Sequence, residues 1–139
     1  MTIRIIGLFA ALLLASLGVR AAPPQYLSVD NSTQTLMDSA TAKAMWNETL
    51  PARLVKLYPP KKWGFASEVE GGFNAAKTCI ITARAMMLPA RGKVLVFTPT
   101  KMATAYDALP NATSDQCKAL AKVKLKEAMQ AVVAGLVAG

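Results

Sequence analysis

The chain has 139 residues and a formal net charge of +8, with 16 basic residues against 8 acidic ones. It contains no histidine and only two cysteines. Histidine, the commonest general base and metal ligand, is therefore missing. The two cysteines do not have the spacing of a zinc site, and no glycine-rich phosphate loop follows a predicted strand. This inventory argues against an enzyme, a metal or other cofactor and a small-molecule substrate.

The first 22 residues have the three parts of a secretory signal peptide. Arg4 supplies the positive start, Ile5 to Val19 is an uncharged, mostly apolar run, and small residues precede a cleavage point near Ala21 or Ala22. A helix that spans a membrane needs about 20 apolar residues, and this run is shorter. We therefore favour a cleaved leader over an uncleaved membrane anchor. Residues 23–139 would then form one small domain with a net charge of +6, in the periplasm or outside the cell.

Two helices are predicted at the start of this domain. Asn31 or Ser32 is expected to cap a helix covering about Thr33 to Glu48, and Pro51 fits the first turn of a second, short helix. Trp46 lies off the apolar stripe of the first helix and is a candidate for an exposed position.

The middle of the chain has the alternating pattern of strands. A half-buried strand is predicted from Trp63, with Gly71-Gly72 expected to end or bulge it. The aromatic side chains of this segment are expected to be core rather than binding site. Those side chains are Trp63, Phe65 and Phe73. Thr78 to Leu88 predicts a second strand, Pro89 to Gly92 a turn, and Lys93 to Thr98 a third strand, paired antiparallel. Thr100 to Thr113 is expected to be a long excursion, with room for a short strand or a turn of helix.

A final helix is predicted from Thr113 or Ser114, either of which can cap it. Cys117 lies on its apolar arc, and from Ala128 onward the helix has no charge, so its end must be buried, frayed or bound to a partner. A neighbouring arc carries basic residues at four-residue spacing, called here the lysine ridge: Lys118, Lys122 and Lys126. These elements predict an α+β domain, with an antiparallel sheet of about three strands packed against N-terminal and C-terminal helices.

The two cysteines, Cys79 and Cys117, are predicted to form one structural disulfide from the second strand to the last helix. Two thiols in an exported domain usually pair with each other. A redox-active pair is the alternative, but the Cys-x-x-Cys spacing is absent and no histidine is present to activate a thiolate.

The order of these elements resembles the C-terminal periplasmic domain of TolA, of the TonB/TolA C-terminal superfamily. Lys77-Thr78-Cys79 opens a strand, a turn with proline and glycine leads to a second strand over Lys93 to Pro99, and Asp115-Gln116-Cys117 heads a helix rich in alanine and lysine. Cys79 and Cys117 match the two family positions that join the first hairpin strand to the following helix. The resemblance covers roughly 73–133; the segment between the cysteines is longer than in the family, and the family's strand after the helix is missing.

The resemblance implies a small α+β fold that binds cell-envelope proteins, including by addition of a strand at a sheet edge. We therefore expect a non-enzymatic periplasmic module with an envelope protein as partner. The candidate partner-binding residues are Lys93, Val94, Leu95, Val96 and Phe97 on the predicted edge strand, together with Lys118, Lys122 and Lys126.

The lysine ridge also supports a different function, binding to anionic lipid, lipopolysaccharide or extracellular DNA. The simpler interpretation is a solvated helix face. Nucleic acid is disfavoured because the last helix has no aromatic residue on which bases could stack. Glu68 and Glu70 are the only clustered carboxylates; they suggest a glycosidase-like pair or, more simply, an outward-facing strand surface.

Overall fold

The computed structural model describes residues 25–139, so the predicted leader lies outside the described residues. Within them the fold is α+β, as predicted. The strands are β1 Leu27–Asp30, β2 Trp63–Phe73, β3 Cys79–Arg91, β4 Val94–Leu95 and β5 Lys101–Leu109. The helices are α1 Ser39–Thr49, α2 Leu54–Leu57 and α3 Ser114–Val137. No helix over 25–139 is long and apolar enough to cross a membrane.

The sheet is built around β3. β2 pairs with it antiparallel along its length, from Phe73 opposite Cys79 to Trp63 opposite Pro89. β1 adds to the far side of β2 in parallel, and β5 pairs antiparallel with the other side of β3. β4 pairs only with the last two residues of β3. β5 is therefore an edge strand, and the sheet has five strands in the described residues rather than about three.

The third strand expected over Lys93 to Thr98 is reduced to the two residues of β4, which pair antiparallel with β3. β3 continues through Pro89 to Arg91, beyond the predicted turn, and only Val94 and Leu95 pair with it. Leu95 is 8% exposed and packs in a small second cluster with Ala66, Met86, Leu88 and Ala90. Burial of this one side chain folds the segment across the end of the sheet, which overrides its strand propensity.

The expected excursion over Thr100 to Thr113 is instead mostly β5. Its alanines weakened the strand signal, yet they have a packing role. Ala103 and Ala105 stand opposite Ala85 and Ala83 of β3, on the face that α3 covers. Small side chains on both strands let α3 lie close to the sheet. The alanines of β5 are therefore explained by close packing against α3 rather than by a preference of alanine for strands.

The first helix is shorter than predicted. α1 begins at Ser39, and its cap is Asp38, whose carboxylate accepts the backbone N–H of Thr41 at 2.8 Å. The Ser32 hydroxyl, expected to cap a helix, accepts the backbone N–H of Val69 at 2.8 Å. The segment before α1 is therefore bound to β2, which prevents an earlier helix start.

The aromatic residues divide between core and surface differently from the prediction. Trp46, a candidate for exposure, is 1% exposed and packs on Phe65, with ring centroids 4.7 Å apart. Phe65 is fully buried and Trp63 half-buried, but Phe73 is 46% exposed. Phe73 ends β2 after Gly71 and Gly72, which have positive φ angles and carry the strand end away from the core.

α3 covers β3 and β5, and α1 packs between α3 and β1. The Thr113 side chain caps α3 in a reciprocal capping box with Gln116. Thr113 was one of the two residues predicted as the cap. The charge-free end of the helix is not frayed, because one side of it, with Val132 and Leu136, lies in the core, while Ala131 and Ala134 on the other side are exposed. One face of the sheet is thus covered by helices, while the other lies open beyond the small cluster around Leu95.

Candidate binding surfaces

The predicted disulfide is present between Cys79 and Cys117, whose Cα atoms are 5.7 Å apart. It joins the first residue of β3 to the first turn of α3, and both cysteines are buried. Cys79 is also the residue opposite Leu109, the last residue of β5. The bridge therefore ties the start of β3 to the start of α3, at the end of the sheet where β3 pairs with the last residue of β5.

The outer edge of β5 pairs with no strand of the described residues, and the strand is exposed over most of its length. Ala103 and Ala105 face α3, so Met102, Thr104 and Tyr106 face the open side of the sheet. Met102 is 55% exposed and Tyr106 is 78% exposed. Unpaired backbone groups flanked by accessible apolar side chains are what an added strand requires.

Charged residues stand near both ends of β5 on the α3 side. The Asp107 carboxylate lies 3.6 Å from Nζ of Lys124, which also donates a hydrogen bond of 2.7 Å to Glu127. That hydrogen bond and the nearby carboxylates raise the pKa of Lys124. The Lys101 side chain lies against α3 at Gly135. It makes no ion pair within residues 25–139.

On the open face, Glu68 and Glu70 are held by one cation. Nη1 of Arg84 lies 3.2 Å from Glu68 and 3.6 Å from Glu70, across the β2–β3 pairing. Both carboxylates thus belong to one exposed ion-pair cluster. This geometry is typical of a strand surface and offers no acid and base on either side of a substrate.

The predicted edge residues do not form one edge. Lys93, Val94 and Phe97 are exposed, whereas Leu95 is buried and Val96 half-buried. The backbone around them is used internally, since the N–H of Val96 donates to the carbonyl of Pro89 at 2.9 Å. The open edge that sequence reasoning sought is on the next strand, β5.

The lysine ridge is exposed, as its spacing predicts. Lys118 and Lys122 line a shallow depression beside the start of α1, near Asp38 and Thr41, while Lys126 stands near Glu48. No ridge lysine makes an ion pair within residues 25–139. The ridge is therefore on the α1 flank of α3, opposite the flank that reaches β5.

Other polar groups have structural roles that the sequence did not indicate. The Tyr26 hydroxyl donates to the carbonyl of Tyr58 at 2.5 Å, and burial raises the pKa of Tyr26 to about 12. The hydrogen bond from the Thr41 backbone N–H holds the pKa of Asp38 below its usual range. Within 25–139 no three His, Cys, Asp or Glu side chains are grouped to hold a metal ion.

Comparisons with known proteins identify no family. No family model matches the chain, and no curated protein matches it. One solved structure, a PelC dodecamer from Paraburkholderia phytofirmans, is similar to this chain. The alignment covers 84% of this chain and 91% of the PelC chain, with 10% sequence identity and a TM-score of 0.40. A similarity of that size carries no information about what this chain does.

Proposed function

We propose that this chain is an exported, non-catalytic protein-binding module of the cell envelope that acts through the outer edge of β5. The open edge of that strand is the observation that carries the proposal. β5 is nine residues long, has no strand on its outer side within the described residues, and contains neither proline nor glycine. An edge of this length and composition pairs readily with another extended chain.

The disulfide supports both the compartment and the binding mode. A buried structural disulfide in a domain of this size is typical of oxidising compartments, in agreement with the predicted leader. By tying Cys79, which pairs with the last residue of β5, to α3, the bridge would also limit movement of β5 at that end before a partner binds. A rigid edge loses less conformational entropy when a strand is added, which favours binding.

The resemblance to the TolA C-terminal domain supports the same proposal, because Cys79 and Cys117 match its bridged positions. In that family a partner strand is added at a sheet edge. Here the matching function would belong to β5 rather than to the segment over Lys93 to Thr98.

Photo-crosslinking in the exporting cell tests this proposal. Tyr106 is replaced by the photoreactive p-benzoylphenylalanine, a change of similar shape at a residue that is mostly exposed. We expect a discrete protein adduct on irradiation, because an added strand would place its side chains within reach of position 106. Phe73, exposed at the end of β2, is the matched control and should give no such adduct. Equal labelling at both positions, or none at 106, contradicts the proposal.

A second candidate function, binding to an anionic surface, is supported by the lysine ridge. Three exposed ammonium groups without a carboxylate partner in the described residues stand one helical turn apart. Each such group contributes about 1 kcal/mol to association with an anionic membrane, and the attraction is screened by salt.

The triple variant Lys118→Gln, Lys122→Gln, Lys126→Gln tests the second candidate. If the ridge binds lipid, affinity for vesicles of phosphatidylglycerol and phosphatidylethanolamine falls about 100-fold, and wild-type binding weakens steeply as salt rises. Co-sedimentation measures both effects.

The matched control removes the same charge elsewhere, with Lys56→Gln, Lys61→Gln and Lys62→Gln, all exposed near α2. An equal loss in both triple variants would mean that net charge, not the ridge, binds the vesicles. Salt-independent binding would exclude the electrostatic mechanism.

A further inference from the structure

We propose that the strand added at β5 is the β5 strand of a second copy of this chain, which joins two sheets across a two-fold axis at Thr104. This inference names the partner of the edge described above and therefore rests on the proposed function. It follows from the order of residues along β5, from the side of the sheet that each faces, and from the position of α3.

The sequence of β5 is complementary to itself when read in opposite directions. With Thr104 opposite Thr104 of the second copy, Lys101 faces Asp107 of that copy and Met102 faces its Tyr106. The remaining pair, Ala103 with Ala105 of the second copy, joins two small side chains. The two-fold axis makes every pair occur twice, so the interface has two opposite-charge pairs and two sulfur–aromatic pairs.

The sheet faces agree with this register. Facing residues in an antiparallel pair lie on the same side, and both members of each pair do so here. Lys101 and Asp107 are on the α3 side, while Met102 and Tyr106 are on the open side. Lys101 has no ion-pair partner among the described residues of its own chain, and the second copy supplies one.

Neighbouring two-fold registers lose this complementarity. With Ala105 at the axis, Lys101 faces Leu109 of the second copy and Asp107 faces its Ala103. With Ala103 at the axis, Asp107 faces Pro99 of the second copy and Tyr106 faces its Thr100, and both of those partners precede β5. An axis between two residues places facing side chains on opposite sides of the sheet, which antiparallel pairing does not allow.

The α3 helices of the two copies also fit beside each other. α3 lies over both β3 and β5, and strands are about 4.8 Å apart, so the two α3 axes would be about 10 Å apart in the joined sheet. That is the spacing of packed helices.

The flank of α3 that would meet the second copy carries small residues where closeness is needed. Lys124, Ala131 and Gly135 lie within a narrow arc at 100° per residue. Near one end of β5, Asp107 contacts Lys124 of α3. At the other end, Lys101 lies beside Gly135 of α3. Thr104 is midway between Lys101 and Asp107, so it lies level with a point on α3 close to Ala131. Ala131 is exposed in the single chain and would lie near the two-fold axis, where its methyl group permits close approach.

Charge exchange at the two ends of β5 tests the inference. The chain is expressed with its own export segment, purified in its exported, oxidised form, and its mass in solution is measured against concentration by sedimentation. The mass of the wild-type protein should rise from that of one chain to that of two chains as its concentration increases. Lys101→Glu alone, or Asp107→Lys alone, makes both end pairs repulsive and should weaken association about tenfold or more.

Mixing the two single variants provides the decisive measurement. In a mixed dimer the introduced Glu faces the introduced Lys at one end, and the native Asp107 faces the native Lys101 at the other. Both end pairs are then attractive, so the mixture should associate about as tightly as wild type although each variant alone does not. Lys93→Glu makes the same charge change at an exposed residue outside β5 and should leave association unchanged. Circular dichroism and thermal melting confirm that each variant is folded.

A wild-type mass of one chain at all concentrations, or no recovery on mixing, overturns the inference. It does not overturn the proposed function, which stands if position 106 crosslinks to a different envelope protein. If position 106 gives no protein adduct while the purified wild type remains a single chain, both fail.

Discussion

Replacing Cys79 and Cys117 together with alanine should lower the free energy of unfolding by about 4 kcal/mol. The cysteines are 38 residues apart, and opening a loop of that length returns conformational entropy to the unfolded chain. Small domains are stable by only about 5–15 kcal/mol, so this bond decides how much folded protein remains at the growth temperature. Thermal melting should show a fall in Tm of about 15 °C.

A reducing agent separates the bond from the side chains. It should lower the Tm of wild type by a similar amount and leave that of the double alanine variant unchanged. A double variant that melts within a few degrees of oxidised wild type would show that noncovalent packing alone holds the start of α3 to the start of β3.

The Phe65→Ala variant should lose about 3–5 kcal/mol of unfolding free energy. Phe65 is fully buried between two aromatic rings, with centroids 4.7 Å from that of Trp46 and 5.0 Å from that of Tyr26. Its removal leaves a cavity where β2 supports both α1 and the segment before β1, and neither can collapse far into it. Urea denaturation followed by circular dichroism measures the loss.

The matched control is Phe73→Ala on the same strand. Phe73 is about half exposed, so its truncation removes little buried surface and should cost less than about 1 kcal/mol. Equal losses at the two positions would contradict the division of β2 into a buried start and an exposed end.

The parts of the fold that the sequence predicted are those fixed by local pattern. Alternation of apolar and polar residues located β2 from Trp63 onward, because its two faces differ in burial, although Gly71-Gly72 was expected to end or bulge the strand and β2 continues to Phe73. The Thr113 cap and the helix that follows it were likewise readable from adjacent residues. The Cys79–Cys117 bond was predicted by counting thiols in a domain expected to be exported, without any knowledge of the sheet.

The parts that the sequence missed depend on distant contacts. β5 was not recognised because Ala103 and Ala105 have low strand propensity, and only the approach of α3 explains them. Trp46 was misplaced because its partner, Phe65, comes from a strand that follows it in the chain.

The same limitation explains the misplaced candidate edge. The segment over Lys93 to Thr98 has the composition of a strand, but Leu95 is drawn into a cluster on the open face. Which strand ends a sheet is a property of topology, so β5 could be recognised as an edge strand only from its pairing. Residues 101–107 of that strand carry the charges and side chains that make β5 complementary to itself.

The attachment point of the crosslink formed at position 106 tests the role of β5 most directly. Peptide mass mapping of the adduct identifies the residue that lies opposite Tyr106 in the bound state. We expect one short segment of a protein partner to be labelled, and for the two-fold pairing that segment contains Met102 of a second copy. Labelling of lipid, or labels scattered over unrelated proteins, would contradict strand addition at this edge.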